Sequence, residues 1–120
     1  MNTKLAGAMG EAYTAEYFRK KKYEVIAMNY RTKFGEIDLI AADKKRLVFV
    51  EVKLRKKGGI TRAADAVSAS KRRKLRLSAD KWLSSNEAYS SRDISFSVAE
   101  LYTSEDGTKI ESINIIESAF

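Results

Sequence analysis

The chain has no cysteine, no histidine and no proline. Without cysteine there is neither a disulfide framework nor thiolate chemistry, and without histidine there is no imidazole ligand or base. These absences remove zinc-site patterns, Ser-His-Asp and Cys-His nucleophilic sets and histidine general bases. An enzyme made from this chain has carboxylates, lysines, hydroxyls and any bound hard cation to work with. Long apolar runs are missing as well. Stretches such as Leu47 to Val50 reach four residues, and the opening MNTKLAGAMG lacks the apolar segment of a signal peptide. The expectation is a cytoplasmic protein with no membrane association. Neither GxxxxGKS/T nor GxGxxG occurs, and Gly58-Gly59 alone reads as a flexible turn, not a phosphate-cradling loop.

Hydrophobic residues make up 44% and charged residues 32% of the 120 positions. That composition suits a folded globule, and a chain of this length has room for one core and hence one domain spanning 1–120.

Charge is unevenly placed. Between Lys53 and Arg76 ten Lys/Arg (Lys53, Arg55, Lys56, Lys57, Arg62, Lys71, Arg72, Arg73, Lys74, Arg76) face the single acid Asp65, a net +9, while elsewhere thirteen bases face fifteen acids, a net −2. Clustered cations of this kind neutralise a phosphate backbone, each contact releasing condensed counterions. A solvated helix face with a loop is the plainer explanation of a charge run. Here the cluster begins beside a candidate catalytic lysine, which favours nucleic acid.

Residues 4 to 21 read as a helix, because Leu5, Ala8, Ala12, Ala15 and Phe18 share one stripe at 100° per residue, with Glu11 inside it. Glu24 to Tyr30 reads as a strand, followed by a turn at Arg31-Thr32-Lys33-Phe34-Gly35. Gly35 to Ala41 and Leu47 to Leu54 are strands around Asp43-Lys44-Lys45-Arg46, a connection short enough for an antiparallel hairpin. Arg55 to Arg62 is expected to be a mobile basic loop. A second helix is expected from about Val67 to Ser85, with Val67, Leu75, Ala79, Trp82 and Leu83 as its apolar stripe. Asp93 to Tyr102 alternates as a strand, Asp106-Gly107 marks a turn, and Lys109 to Ile116 reads as the last strand.

The sharpest chemical feature is Asp38 in one strand followed, in the next, by Glu51-Val52-Lys53. Side chains two apart in a strand share a face, so Glu51 and Lys53 lie about 6–7 Å apart on one side while Val48, Val50 and Val52 point to the other. If the hairpin register sets Asp38 beside Glu51, two carboxylates converge next to an ammonium group, and their repulsion calls for a cation. Mg²⁺ favours oxygen ligands and leaves room for substrate phosphate, which makes phosphodiester hydrolysis the natural reaction class, with Lys53 orienting water or offsetting developing charge. The plainer alternative is an exposed Glu51–Lys53 ion pair on a sheet edge. Glu11 on an apolar stripe is a candidate fourth site residue; the alternatives are a solvent-exposed helix end or a pair with a basic side chain. Lys71 fills the step between Val67 and Leu75, near substrate phosphate or simply snorkelling. Glu16 and Glu36 are poorer candidates, the first at the stripe's edge and the second at the start of its strand.

The motifs Gly7-x-x-Gly10-Glu11, GEIDLIA, VFVEVKLR, Val67-x-x-x-Lys71 and the closing INIIESAF resemble those of the YraN family over nearly the whole chain. Proteins of that family are similar to archaeal Holliday junction resolvases and to the PD-(D/E)xK nuclease superfamily. The resemblance implies a restriction-endonuclease-like α/β fold, with a central mixed sheet flanked by helices, and Mg²⁺ (or Mn²⁺) at the acidic cluster. Carried over by position, Glu11 matches the helix-one glutamate, Asp38 the motif aspartate, and Glu51 and Lys53 the (D/E)xK pair; all four become catalytic candidates, with Glu11, Asp38 and Glu51 holding metal. Ile37 stands where the superfamily name has proline, Lys22 replaces a usual glycine before Tyr23, and SRDISFSVAE differs from the usual Arg-Phe-Asp strand. Since the resolvases act as symmetric dimers, a homodimer is the assembly the resemblance suggests.

The functional expectation is a Mg²⁺-dependent endonuclease acting on DNA, branched DNA included, with Arg55, Lys56, Lys57, Arg62, Lys71, Arg72, Arg73, Lys74 and Arg76 on phosphates. Its rival is a nucleic-acid-binding module that keeps the fold without turnover. A third reading has the basic cluster docking an acidic protein or anionic lipid.

Overall fold

The structure is a computed structural model and describes residues 3–56, 67–117 and 119, the side chains of 3–5 and 56 excepted. Expectations for Lys57, Arg62, the side chain of Lys56 and the basic loop beyond it therefore lie outside the described residues. Helix α1 (Thr3–Lys20) leads into strands β1 (Glu24–Thr32), β2 (Gly35–Ala42) and β3 (Arg46–Lys56). Helix α2 (Ala69–Ser84), a single 3₁₀ turn (Glu87–Tyr89) and strands β4 (Asp93–Thr103) and β5 (Ile110–Ile116) follow. The five strands form one sheet in the order β1-β2-β3-β4-β5. Only the β3–β4 pair is parallel, the other three being antiparallel. A parallel neighbour needs a crossover, and α2 lies in that connection. The result is the mixed sheet with flanking helices expected of a restriction-endonuclease-like domain. Among the described residues no helix is long and apolar enough to cross a membrane.

The two faces of the sheet carry two cores. Ala15 and Phe18 of α1 pack on Leu39, Ala41, Val48, Val50 and Ala99. Leu75, Ala79 and Trp82 of α2 pack on Ile40, Leu47, Phe49 and Val98. Phe49 meets Trp82 edge-on at 6.0 Å and stacks on Phe96 at 5.4 Å, orientations favoured by the ring quadrupole. Because both faces are covered, β2 and β3 read as nearly continuous apolar runs, and a charge inside them must be explained.

Helix α1 buries a face rotated from the expected one. Ala8 and Ala12 are exposed, whereas Gly10, Thr14, Ala15 and Phe18 are buried. Thr14 can be buried because its hydroxyl donates to the Gly10 carbonyl at 2.7 Å, which removes the cost of an unpaired polar group. Gly10 allows the close approach: a Cβ there would lie 3.0 Å from Leu101 Cδ1 and 3.3 Å from Leu54 Cδ2. Counting apolar letters misses both residues. The turn after α1 also bears on the sequence. Tyr23 N–H donates to the Phe18 carbonyl and Lys22 N–H to that of Arg19, the paired bonds of a Schellman cap, and Lys22 takes φ 71°. That left-handed position is one glycine fills without strain.

One boundary expected from sequence is corrected. A mobile loop beginning at Arg55 is not what forms there: β3 continues to Lys56, its parallel ladder with β4 running on through Arg55–Tyr102 and Lys56–Thr103.

Gly7 and Gly10 make opposite predictions. Nothing lies within 4 Å of a Cβ built on Gly7, so Gly7→Ala should gain up to about 1 kcal/mol of stability from helix propensity. Gly10→Val should lose about 1–3 kcal/mol through overpacking. Chemical denaturation of both variants measures the difference; equal midpoints would mean that α1 does not sit this close to the sheet.

Candidate functional site

The β2–β3 ladder runs from Ala42–Leu47 to Leu39–Val50 and stops. One residue further the same register sets Asp38 opposite Glu51. In place of the next ladder bond, Asp38 Oδ2 accepts the N–H of Val52 at 2.8 Å, so the strands part around a carboxylate without stranding a buried donor. Glu11 enters this opening from α1, and Glu36 precedes Asp38 by two residues. One carboxylate oxygen each from Glu11, Glu36 and Asp38 lies within 4.8 Å of the others.

Glu51 is not in that triplet. Its side chain, 8% exposed, is held by the ammonium group of Lys71, which reaches over from the first turns of α2 and is itself 46% exposed. The arrangement differs from the sheet-edge pair that the spacing also allowed: β3 is the central strand, Glu51 is buried, and its partner is Lys71, not Lys53. Lys53 is half-buried on the same strand and makes no ion pair among the described residues.

Burial and crowding of like charge have a measurable consequence at Asp38. Its carboxyl is pushed up to about 7, first by loss of solvation, then by the Glu51 carboxylate, with Glu11 and Glu36 adding smaller amounts and the Val52 N–H opposing them. A bound cation would reverse this balance.

Of the sequence candidates, the structure brings Glu11, Asp38 and Glu51 to one opening, with Lys71 against it. Glu36, rated a poor candidate, joins the cluster; the i, i+2 spacing of Glu36 and Asp38 in one strand was the signal that could have found it. Glu36 also lies 3.7 Å from Arg31. The basic residues divide. Arg55 is 17% exposed and donates from Nε to buried Glu100 at 2.8 Å, Glu100 also accepting from Asn114 at 3.4 Å. Arg72 donates to the Val67 carbonyl at 2.9 Å, and Arg76 lies over the Phe96 ring. Arg73 and Lys74 are exposed.

Helix α2 begins at Ser68, whose side chain accepts the Lys71 N–H at 3.1 Å, and its first turn holds no acid. Lys71, Arg72, Arg73 and Lys74 thus crowd the helix end that already carries about half a positive charge, an unfavourable placement unless an anion joins it. A cavity of about 340 Å³ opens beside these residues, lined by Phe34, Glu36, Ser68, Ser70, Lys71 and Lys74 among others. It connects the basic helix end to one member of the acidic triplet.

Fold and site together define a small α/β domain of restriction-endonuclease-like architecture, with a carboxylate cluster where two central strands diverge. Over residues 10–114 the chain matches the Uncharacterised protein family UPF0102, and it belongs to that family. It is 35% identical over 122 residues to a UPF0102 protein of Caldanaerobacter subterraneus subsp. tengcongensis, a match covering 100% of this chain and 98% of that one. A UPF0102 protein of Alkaliphilus oremlandii is 37% identical over 121 residues, with both chains covered in full. One of Rhodococcus opacus is 45% identical over 86 residues, covering 72% of this chain and 73% of its own.

The raised Asp38 carboxyl sets the sign of a pH effect. Between its ordinary value of 3.8 and about 7 the folded protein holds a proton that the unfolded chain has released. Metal-free stability should therefore be greatest below about pH 4 on this account and fall by on the order of a few kcal/mol up to about pH 7. Asp38→Asn keeps an oxygen for the Val52 N–H and removes the titration, so its unfolding free energy should stay flatter across this range and exceed that of the wild type at pH 8. Identical pH profiles for the two proteins would mean that Asp38 is not desolvated as described.

Proposed function

We propose that this protein is a Mg²⁺-dependent endonuclease that hydrolyses phosphodiester bonds in DNA, branched DNA included, with Glu11, Asp38, Glu51 and Lys53 at its centre. The observation that carries this reading is the convergence of Glu11, Glu36 and Asp38 within 4.8 Å in an opening bordered by Glu51 and by the basic start of α2. Octahedral Mg²⁺ with bonds of about 2.1 Å places its ligands between about 3.0 Å and about 4.2 Å apart. The triplet reaches that range with small side-chain adjustments, and carboxylate oxygens are the donors Mg²⁺ and Mn²⁺ prefer. The residues present fit such an ion, held by Asp38 with Glu11 and with Glu51 or Glu36.

Bound there, a divalent cation supplies a Lewis acid for a phosphate oxygen and lowers the pKa of water. The chain's own groups supply the rest. Asp38 must be ionised to act as a ligand, and its carboxyl near 7 makes metal binding strengthen as the pH rises through neutrality. Lys53, without a carboxylate partner among the described residues, has an ammonium group available to offset charge growing on the phosphate. Lys71 neutralises Glu51 at the edge of the cavity; were Glu51 to serve as a ligand instead, the Lys71 ammonium would be available there to a phosphate of the substrate. Arg73 and Lys74 extend the cationic surface along α2.

A second reading is a nucleic-acid-binding module without turnover. The Lys71–Glu51 pair favours it, since the chain itself neutralises the buried carboxylate.

Purified protein incubated with junction, flap, duplex and single-stranded DNA in Mg²⁺ or Mn²⁺ separates the two readings. Cleavage is expected to fall at least about 100-fold in Asp38→Asn, Glu51→Gln and Lys53→Met while DNA binding persists. Undiminished cleavage by Asp38→Asn would exclude the site, and salt-sensitive binding with no product in either metal would favour the second reading. A further outcome concerns metal alone. Lys71→Met removes a competing cation from Glu51, so calorimetric titration should give a several-fold tighter Mg²⁺ dissociation constant than wild type. Weaker binding would mean that Lys71 does not oppose the metal.

A further inference from the structure

The strand ends farthest from the carboxylates carry a second concentration of positive charge, which a linear count of the sequence hides. Lys22 follows α1, Lys44, Lys45 and Arg46 lie in or beside the β2–β3 turn, and Arg92 immediately precedes β4. Strand pairing brings them together: Glu24 sits opposite Ala42, Ala42 opposite Leu47, and Arg46 beside Asp93, whose N–H donates to the Lys45 carbonyl at 2.8 Å. The five cations line a concavity of about 600 Å³ whose acids are Glu24 and Asp43.

Asp43 is already committed. It accepts the N–H groups of Lys45 and Arg46 at 2.9 and 2.7 Å and the Arg46 Nε at 3.2 Å, which builds the turn. Lys22, Lys44, Lys45 and Arg92 are left facing the one carboxylate of Glu24, and their side chains form no ion pair among the described residues. The Arg92 guanidinium lies 4.4 Å from the Tyr89 ring centroid and that of Arg46 5.6 Å from the Tyr23 centroid. An aromatic face orients a guanidinium while leaving its charge unneutralised. Lys22, Lys44, Lys45 and Arg46 are exposed and Arg92 is half-buried, yet all five, from separate segments, line this one open concavity. The nonpolar lining is Ala42, so nothing there would insert into a bilayer. Cations held this way suit a chain of phosphates.

We propose that this recess is a second contact surface for a nucleic-acid backbone, gripping a stretch of the same polynucleotide that reaches the carboxylates. The inference rests on the nucleic-acid reading above and adds where the substrate must extend. Along β2, Ala42 is four residues from Asp38, about 13 Å at about 3.3 Å per residue, and the turn lies beyond it. The second surface therefore engages phosphates roughly four to six base-pair steps from the site, at about 3.4 Å per step.

Fluorescence anisotropy in EDTA, which prevents cleavage, tests this with a labelled 24-base-pair duplex and a hairpin whose three-base-pair stem spans two steps, about 7 Å. For Lys44→Glu/Lys45→Glu, with folding checked by thermal melt, affinity for the long duplex should drop at least fivefold. The salt slope should shrink by about two units, at about 0.9 per lost phosphate contact. Affinity for the short hairpin, which reaches one surface at a time, should change less than twofold. Unchanged affinity and slope on the long duplex, with wild-type binding intact, would overturn this inference and leave the functional reading standing. Absence of DNA binding by the wild type would overturn both. Vesicles containing phosphatidylserine form the last arm: vesicle binding lost in the double variant while DNA binding is kept would assign the recess to a membrane and overturn the proposal.

Discussion

Everything distinctive in this structure depends on carboxylates held close together where water is scarce. Asp38 and Glu51 face one another across the point at which the β2–β3 ladder ends, with Glu11 and Glu36 alongside. Desolvation raises the free energy of the ionised Asp38 carboxylate, and repulsion from its neighbours raises it again. The fold offsets that cost in three ways. Val52 donates its N–H to Asp38, Lys71 donates its ammonium to Glu51, and the Asp38 carboxyl holds its proton up to about pH 7. None of these removes the excess of oxygen donors over cations at the centre. A well-packed apolar strand would serve stability better than such an imbalance, and the proposed cation and phosphate would offset it.

The rest of the architecture positions this cluster. Parallel pairing of β3 with β4 requires a crossover, and α2 in that crossover carries Lys71 back across Glu51. On the other face, the close approach of α1 at Gly10 sets the next residue, Glu11, into the gap between the strands. Buried Glu100, bonded to half-buried Arg55 and exposed Asn114, ties the outgoing end of β3 to β4 and β5, so the lysine-bearing part of β3 sits in a braced sheet. Cations then occupy both ends of the domain: the start of α2 beside the carboxylates, and the recess formed by Lys22, Lys44, Lys45 and Arg92 at the far strand ends.

Several features were legible in the residues because their causes are local. Side-chain alternation marked the strands, the four-residue connection marked the β2–β3 hairpin, and acid-x-lysine in an apolar strand marked Glu51 and Lys53 as charges needing a reason. Where the reading erred, the decisive contact was distant or polar. Ala8 and Ala12 looked like core because alanine is apolar, yet Thr14 and Gly10 fill the seam, the first through a hydrogen bond and the second through its lack of a side chain. Glu36 looked peripheral because it opens its strand, yet the parting of β2 from β3 brings the start of that strand to the centre. The local charge count also misled: a balanced remainder of the chain concealed a basic recess, because five cations from separate segments meet only two acids there, Glu24 and Asp43.

The sequence by itself determined the chemical inventory: no imidazole and no thiol, carboxylates and lysines to work with, five strands and two helices with their approximate places, and a hairpin joining the strands that carry Asp38 and Glu51. Tertiary structure alone decided which ammonium meets Glu51, which third and fourth carboxylates join Asp38, which basic residues are already engaged, and where the second cationic surface lies. The physical reason is that periodicity and composition act over a few residues of chain, whereas desolvation, ion pairing and charge repulsion depend on distances in space that only the packed sheet and helices establish.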